Sequence, residues 1–501
     1  MEESDIEHSS EKLSHAVKKG AGWTFLSRVL SFIMNMGGVI ILARLLEPED
    51  FGVFGIGLLF VGLGTRFGDI GFTQALIQKE KISDAHISSL FVINVVFYSI
   101  SAGLLMWASP AIGRYFDSPL SGDVLLPLAG LFLFAPFTSV ARALLIRRMQ
   151  FKAMALAQTL QNFVGVLASI GFAWSGFGVW SLVYSEIIRS SLVLMVVMFY
   201  ARWWPRFSYK HSAMKDLFSF GIGMFFKRLL TYGTDKAEIL IIGKQLGVAP
   251  LGFYEKAYGL MDVTIRELGN RMRPVLFSAF SVIQNDRGRI LAAYKKVSLT
   301  FSLLSYPIFF GLAGVAPPLV YLLFGEKWMP SVIPLQILCV SGPFRLHLKV
   351  VSIVMNAMGK VRIEVGLRAI ALIFLIIGCV VGSQWGIIGV AAAVTLVMGM
   401  LSVAVTIYFS QLTHLSFFAL LQPQTTPFVA SVLMSAMVLL VQDWLFGEDV
   451  YSFFALISSV ILGGLTYVGV LCILRPPPVM ALIKEVSVDL KLVFQKFKRL
   501  L

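Results

Sequence analysis

The chain has 501 residues, of which 57% are hydrophobic and only 14% are charged, and its mean hydropathy is +0.81. This composition excludes an ordinary soluble globular protein. The formal net charge of +14 reflects membrane topology and not nucleic-acid binding, because the basic residues are concentrated in particular loops.

Apolar stretches long enough to cross a hydrocarbon core recur along the chain from residue 23 to residue 474. They predict an all-α integral membrane protein with about 14 transmembrane helices. Aromatic side chains near the ends of many of these stretches are typical of the membrane interface. The predicted spans are 23–44, 52–77, 87–108, 125–146, 154–174, 179–200, 216–243, 251–280, 297–323, 331–357, 363–382, 386–409, 427–446 and 452–474.

Lysine and arginine collect in one alternate set of loops and in both tails, whereas the opposite loops are mostly acidic. Basic loops stay on the cytoplasmic side, so both termini are predicted to be cytoplasmic. Residues 1–20 lack the pattern of a cleaved signal peptide and are expected to form a cytoplasmic tail. The basic loops are 79–81, 147–152, 202–210, 287–296 and 360–362.

An internal repeat at an offset of 200 residues supports the two most highly charged spans, 216–243 and 251–280. It matches Arg28 with Arg228, Arg66 with Arg266, and Gly52 with Gly252, and it pairs Asn35 with Asp235 conservatively. Six spans separate the copies, so both halves enter the membrane in the same direction, as in a parallel repeat. We therefore predict two pseudo-two-fold-related six-helix lobes around a central cavity, plus two extra C-terminal spans.

This organisation divides the chain into six segments. The last one follows three consecutive prolines and has an amphipathic pattern suited to an anionic leaflet, or to packing on the protein's own cytoplasmic loops. The segments are a cytoplasmic tail (1–20), an N-lobe with spans 1–6 (21–200), a cytoplasmic linker (201–215), a C-lobe with spans 7–12 (216–410), spans 13–14 (426–474) and a cytoplasmic amphipathic tail (475–501).

Arginine inside a span is unfavourable by about 2.5–3.5 kcal/mol at mid-membrane, so it usually faces a cavity or a partner. Guanidinium groups bind phosphate through charge-assisted, bidentate bonds, which favours a substrate with a diphosphate headgroup. Intrahelical pairing, as in Arg66 with Asp69 or Asp262 with Arg266, and snorkelling of Arg28 and Arg228 are the alternatives. The candidate substrate-binding residues are Arg28, Asn35, Arg66, Lys227, Arg228, Asp235 and Arg266.

Three carboxylates, Asp69, Asp235 and Glu238, are candidates for ion or proton coupling, because a carboxylate in a low-dielectric cavity can change its protonation or bind a cation. Alternatively, they only neutralise nearby arginines. The later copy of the repeat carries more charge than the earlier one, so we expect an asymmetric site. His347, with Arg345 and Lys349 close to it in the sequence, is interpreted as structural.

No motif indicates an enzyme. The sequence has no Walker A motif, no G-x-S-x-G elbow and no metal-ligand spacing, and its three cysteines are interpreted as small core residues. We therefore expect no cofactor and no metal. The glycines at 62, 64, 68 and 71 are interpreted as sites of close helix packing.

Four stretches resemble one family: 42–54 (LARLLEPEDFGVF), 143–151 (ALLIRRMQF), 176–183 (GFGVWSLV) and 322–328 (LLFGEKW). They are similar to the Wzx-type polysaccharide exporters of the multidrug/oligosaccharidyl-lipid/polysaccharide superfamily, in the group of the colanic acid and teichuronic acid exporters. The resemblance covers residues 15–420 approximately.

The resemblance implies a two-lobed helical fold that moves an undecaprenyl-diphosphate-linked oligosaccharide from the inner to the outer leaflet of the bacterial inner membrane by alternating access. It also implies cavity arginines, a role that Arg28 and Arg228 fit. The expected partners are the lipid-linked oligosaccharide, membrane lipids and the polysaccharide polymerase and co-polymerase machinery, with no nucleic acid. Two alternatives are a cation-coupled multidrug antiporter and a membrane glycan polymerase or ligase.

Overall fold

The computed structural model describes residues 31–79 and 81–474, together with 477, 479 and 480. Every regular element in these ranges is a helix. In the first part of the chain the α-helices are α1 (Ser31–Leu45), α2 (Pro48–Gly68), α3 (Phe72–Gln78), α4 (Asp84–Tyr115), α5 (Pro119–Asp123), α6 (Leu125–Ala129), α7 (Leu131–Arg147), α8 (Phe151–Trp174) and α9 (Trp180–Ala201).

The remaining helices include two strongly charged ones, α10 and α11, and a π-helical segment, Ile265–Asn270, that joins α11 to α12. They are α10 (His211–Gln245), α11 (Val248–Thr264), α12 (Arg271–Val282), α13 (Arg287–Gly314), α14 (Ala316–Phe324), α15 (Val332–Ala357), α16 (Val361–Gly382), α17 (Gly386–Thr413), α18 (Phe417–Val441) and α19 (Phe453–Leu474).

Within the described ranges, nine helical stretches are long and apolar enough to cross a membrane, or ten if the pair of segments Pro119–Ala129 and Leu131–Arg147, bent by 41°, is one span. One of the nine, Ile363–Thr413, contains α16 from Ile363 onward and all of α17. The charged helices α10 and α11 are not among them. The all-helical membrane architecture is therefore confirmed, whereas the count of 14 spans stays a prediction.

The chain divides into two compact units. The first runs to Tyr232 and includes Gly247–Gly252; the second comprises Gly233–Leu246 and the chain from Phe253 onward. The boundaries of the predicted lobes stay a prediction.

In the first unit, the start of α2 explains one of the four family-like stretches. Glu47 and Asp50 form a capping box, in which the backbone N–H of Glu47 donates to the Asp50 carboxylate at 3.0 Å, and Pro48 occupies the first turn, where it needs no N–H partner. Gly52 lies directly against the backbone of Val248. The stretch therefore encodes a helix start and a close approach of two backbones.

The glycines along α2 confirm the prediction of close packing, and each accepts an aromatic ring. A Cβ atom at Gly62, Gly64 or Gly68 would overlap Tyr232, Phe132 or Tyr98, respectively. Gly71 has a different role, because its φ of +90° places it in the left-handed region before α3. Because these glycines have no side chain, large aromatic side chains of α4, α7 and α10 can pack directly against α2.

A second family-like stretch supplies two caps for helix C-termini. The guanidinium of Arg147 donates to the carbonyls of Leu76, Ile77 and Lys79 at 2.9, 3.0 and 2.5 Å, at the end of α3. Arg148 donates to the carbonyl of Ala201 at 2.6 Å, at the end of α9. Cations at these positions satisfy free carbonyls and favour the negative end of the helix dipole.

In the second unit, α15 lies at the centre, and 78% of its apolar window is buried. A chain of buried hydrogen bonds ties it to its neighbours. Tyr306 donates to Gln424 Oε1 at 2.5 Å, Gln424 Nε2 lies 2.8 Å from His347 Nδ1, and His347 Nε2 lies 2.8 Å from Thr406 Oγ1. These contacts join α13, α15, α17 and α18, and they agree with the structural role predicted for His347, which stays a prediction.

Candidate functional site

In the first unit, the second predicted span is interrupted at Asp69. Helix α2 ends at Gly68 and α3 begins at Phe72, so residues 69–71 break the helix inside the predicted span 52–77. The carboxylate of Asp69 accepts a hydrogen bond from the backbone N–H of Thr73 at 3.2 Å, which satisfies a donor that the break would leave unpaired. Non-helical backbone inside a membrane is tolerated where it lines a cavity or is buried in protein.

Arg66 lies one turn before this break and stacks on Tyr232 of α10. Its Cζ atom is 3.8 Å from the centre of the tyrosine ring, and its Nη1 donates to the carbonyl of Gly62 at 2.6 Å. Tyr232 is itself fixed, because its hydroxyl donates to the carbonyl of Leu59 at 2.6 Å. The stacking holds the guanidinium plane against the ring.

Asp69 pairs with Arg228 and not with Arg66, which lies three residues before it at the end of α2. Arg228 Nη1 lies 3.8 Å from Asp69 Oδ2, and the two side chains are 32% and 17% exposed, respectively. Tyr98, which packs on Gly68, contributes a buried ring beside the pair. Arg66, Asp69, Arg228, Tyr232 and Tyr98 therefore form one polar cluster, which we call the α2–α10 cluster.

The second unit repeats the interruption in the equivalent helix. The π-helical segment Ile265–Asn270 interrupts the α-helical hydrogen-bond pattern of the predicted span 251–280 without ending the helix, and at an offset of 200 it corresponds to residues 65–70 of the first copy. π-helical turns inside α-helices often occur at functional sites. Arg266 lies within this segment, is 57% exposed and pairs with Asp262 at 3.3 Å, so the predicted intrahelical pair is present.

Asp235 and Glu238 lie near a buried arginine of the second unit. Glu238 is 1% exposed, and Arg345 is 7% exposed and donates to Tyr258 at 3.3 Å. Both carboxylates interact electrostatically with Arg345. One oxygen of Glu238, one nitrogen of Arg345 and the hydroxyl of Tyr254 are buried without a hydrogen-bond partner in the described part of the chain. Such a group of unpaired atoms is costly unless water or a ligand completes it.

The structure thus brings Arg66, Arg228 and Asp69 together in the first unit, and Asp235 and Glu238 together in the second. Asn35 is half-buried on α1, and its Nδ2 donates to its own helix at Ser31, 2.7 Å away. Arg28 lies outside the described residues, as does the side chain of Lys227. The shared central cavity stays a prediction.

Sequence reasoning missed two features. It considered Arg345 only beside His347, and it overlooked Glu186 and Arg189 in the middle of α9, whose charged atoms lie 3.9 Å apart. All three are charged residues within predicted spans, which was the available signal. None has a charged equivalent 200 residues away, so the comparison of the two repeats does not single them out.

The other chemical expectations concern pockets, metals and cysteines. A small pocket of the second unit is lined by Tyr306, His347, Gln424 and neighbouring side chains, and by none of the predicted site residues. The described residues contain no group of three metal-binding side chains.

Cys339 and Cys379 are buried, but Cys472 is exposed, so the prediction that all three cysteines are core residues is wrong for Cys472. Cys472 lies on α19, whose apolar window is only 17% buried.

Known proteins resemble this chain in sequence and in fold. The chain is 28% identical to the succinoglycan biosynthesis transport protein ExoT of Rhizobium meliloti over 315 residues, 62% of this chain and 63% of ExoT, so the match spans less than two thirds of that relative. It is 23% identical to the lipopolysaccharide biosynthesis protein WzxC of Escherichia coli over 406 residues, 81% of this chain and 80% of WzxC.

Among solved structures, the lipid II flippase MurJ in an inward closed conformation matches with a TM-score of 0.71 at 16% identity, covering 90% of this chain and 98% of that one. At this identity the match shows a common fold. A family model described as polysaccharide biosynthesis protein matches residues 41–333, more than half of the sequence. The chain is therefore a multi-pass membrane protein that belongs to the polysaccharide biosynthesis protein family.

Proposed function

We propose that this protein is a flippase that moves an anionic, undecaprenyl-diphosphate-linked oligosaccharide from the inner to the outer leaflet of the bacterial inner membrane by alternating access. One observation carries the proposal: the equivalent helices of the two repeats are both interrupted beside equivalent arginines, Arg66 and Arg266. Interruptions at corresponding positions of two repeats are typical of transporter binding sites. The names of ExoT and WzxC, a transport protein and a lipopolysaccharide biosynthesis protein, agree with export.

The chemistry of the α2–α10 cluster favours an anionic headgroup. It combines two guanidinium groups with one carboxylate, and one guanidinium is stacked on an aromatic ring. Two arginines at a partly dehydrated site bind a diphosphate through charge-assisted hydrogen bonds, whereas a cationic drug would need an excess of carboxylates. In this proposal Arg28, Asn35, Lys227 and Arg266 complete the contact surface.

Coupling is proposed for Asp69, Asp235 and Glu238. The buried, unpaired oxygen of Glu238 supports a role for this carboxylate, because its free energy depends strongly on whether a proton or another positive charge reaches it. Both termini are proposed to be cytoplasmic, and the polymerase and co-polymerase machinery is the proposed partner on the export route.

The test is a complementation assay in a strain that lacks the chromosomal copy, with Arg28, Arg66, Arg228 and Arg266 replaced singly by alanine. Each charge-assisted contact contributes about 1.5–3 kcal/mol, or roughly a ten-fold or larger loss of affinity, so at least two variants should lose export at normal membrane levels. Arg206→Ala is the matched control, because Arg206 is 73% exposed and pairs with Asp84 at 3.2 Å in a loop. Retained export in all four variants would remove the binding role. Resistance to cationic dyes on overexpression would favour the antiporter instead.

A further inference from the structure

Asp69 contacts Arg228 without forming a direct hydrogen bond with it. The shortest distance between their charged atoms is 3.8 Å, which exceeds hydrogen-bond range but keeps the charges in contact. Asp69 thus attracts Arg228 electrostatically without accepting a hydrogen bond from it.

The carboxylate of Asp69 is held in place by its own backbone and cannot move freely with Arg228. Its Oδ1 accepts the backbone N–H of Thr73 at 3.2 Å, and the neighbouring Gly68 is covered by the buried ring of Tyr98. An anionic ligand that reaches Arg228 therefore lies close to the fixed negative charge of Asp69, whose Oδ2 atom is 3.8 Å from Arg228 Nη1.

We propose that Asp69 is an internal counter-ion of Arg228 in the absence of substrate and that the substrate diphosphate replaces it as the partner of Arg228, while the carboxylate itself stays in place. This inference rests on the proposed function and identifies a specificity-determining residue of the same site. A diphosphate carries more charge than one carboxylate and offers oxygens for bidentate bonds, so it outcompetes Asp69. A singly charged anion, or one with few contacts, does not.

The role of Asp69 is thus to discriminate by repulsion. Specificity often requires an element that disfavours the wrong ligand as well as one that attracts the right one. Every anion at Arg228 is weakened by the fixed carboxylate, and only a ligand with further contacts, such as a second phosphate on Arg66, binds well. The same repulsion favours release of the headgroup after transfer.

The experiment measures binding of inorganic pyrophosphate and inorganic orthophosphate to the purified full-length protein by calorimetry. Asp69→Asn removes the charge and keeps an oxygen that can accept the Thr73 N–H, whereas Asp69→Ala removes both. We expect Asp69→Asn to tighten pyrophosphate binding by about two- to five-fold, the change that corresponds to the ~0.5–1 kcal/mol of a partly exposed ion pair. Orthophosphate binding should tighten by a larger factor than pyrophosphate binding, so that discrimination falls, and equal tightening of the two would overturn the discriminating role of Asp69.

Asp84→Asn is the matched control, because it removes the carboxylate of the exposed Asp84–Arg206 pair and should leave phosphate binding unchanged. Unchanged or weaker pyrophosphate binding in Asp69→Asn, with weaker binding in Arg228→Ala, would overturn the counter-ion role and leave the proposed function standing. An effect in Asp69→Ala alone would identify Asp69 as a purely structural cap and overturn the proposal as well. If neither Arg66→Ala nor Arg228→Ala altered pyrophosphate binding, the proposed function itself would fail.

Discussion

Replacing Gly52 by alanine tests the closest backbone approach in the first unit. A Cβ atom at Gly52 would overlap the carbonyl oxygen of Val248 and lie 2.7 Å from its carbonyl carbon, against 3.4 Å for ordinary contact. The reciprocal is also true: a Cβ at Gly252 would lie 2.7 Å from the carbonyl carbon of Pro48. No rotamer change relieves either overlap, because the obstructing atoms belong to the backbone.

To accept Gly52→Ala, the start of α2 and the start of α11 would have to separate by more than about 0.7 Å, because the shortfall is about 0.7 Å at the carbonyl carbon of Val248 and larger at its carbonyl oxygen. Overpacking costs typically 1–3 kcal/mol, and an obstacle made of backbone lies at the upper end of that range, so we expect destabilisation of about 3 kcal/mol. Gly259→Ala is the matched control on α11, because nothing lies within 4 Å of the position that a Cβ atom would take there. Alanine at this position should stabilise the helix by roughly 0.5–1 kcal/mol.

The assay is the thermal midpoint of the detergent-solubilised protein, followed by fluorescence-detected gel filtration. Gly52→Ala and Gly252→Ala should both lower the midpoint, and Gly259→Ala should not. Equal midpoints for Gly52→Ala and Gly259→Ala would refute the close approach of the two backbones.

Two further predictions concern contacts outside the candidate site. Arg147→Ala should destabilise the protein by about 1.5–3 kcal/mol, because three carbonyls at the end of α3 lose a charged donor, whereas the exposed Arg206→Ala should cost no more than about 1 kcal/mol in the same thermal assay. Gln424→Leu should destabilise the protein by about 2–4 kcal/mol, since it leaves the hydroxyl of Tyr306 and the Nδ1 atom of His347 without their buried partner. The exposed Gln422→Leu on the same helix is its control, and equal midpoints for the two leucine variants would contradict the role of this network.

The helices were predictable from the sequence because hydropathy and helix length depend on local composition. The charged helices α10 and α11 were predictable only through the repeat, which compares residues and not hydropathy. Gly52 and Gly252 now give that repeat a physical meaning: the two matched glycines lie in contact, each against a backbone atom of the other's helix. The match between Arg66 and Arg266 also has a structural counterpart. Arg66 lies one turn before the break in α2, and Arg266 lies in the π-helical segment.

The ion pairs were less predictable, because they depend on the path of the backbone. Spacing along a helix suggested that Arg66 neutralises Asp69, but the helix ends between them, and Asp69 pairs instead with Arg228, which is distant in sequence. Asp262 and Arg266 did form the pair that their spacing suggested. The break in α2 was not foreseen, although Gly68 and Gly71 flank it.

The difference between these two carboxylates follows from the two kinds of interruption. In the second copy the chain stays helical through the π segment, so Asp262 and Arg266 remain on one face and neutralise each other. In the first copy the helix stops, and the carboxylate of Asp69 is turned to cap α3 and to meet an arginine of another helix. One duplicated sequence therefore yields an internally paired arginine in one half and an arginine stacked on Tyr232 in the other. The two copies therefore differ in how each one breaks its second helix, whereas the asymmetry of the binding site that the charges predict stays a prediction.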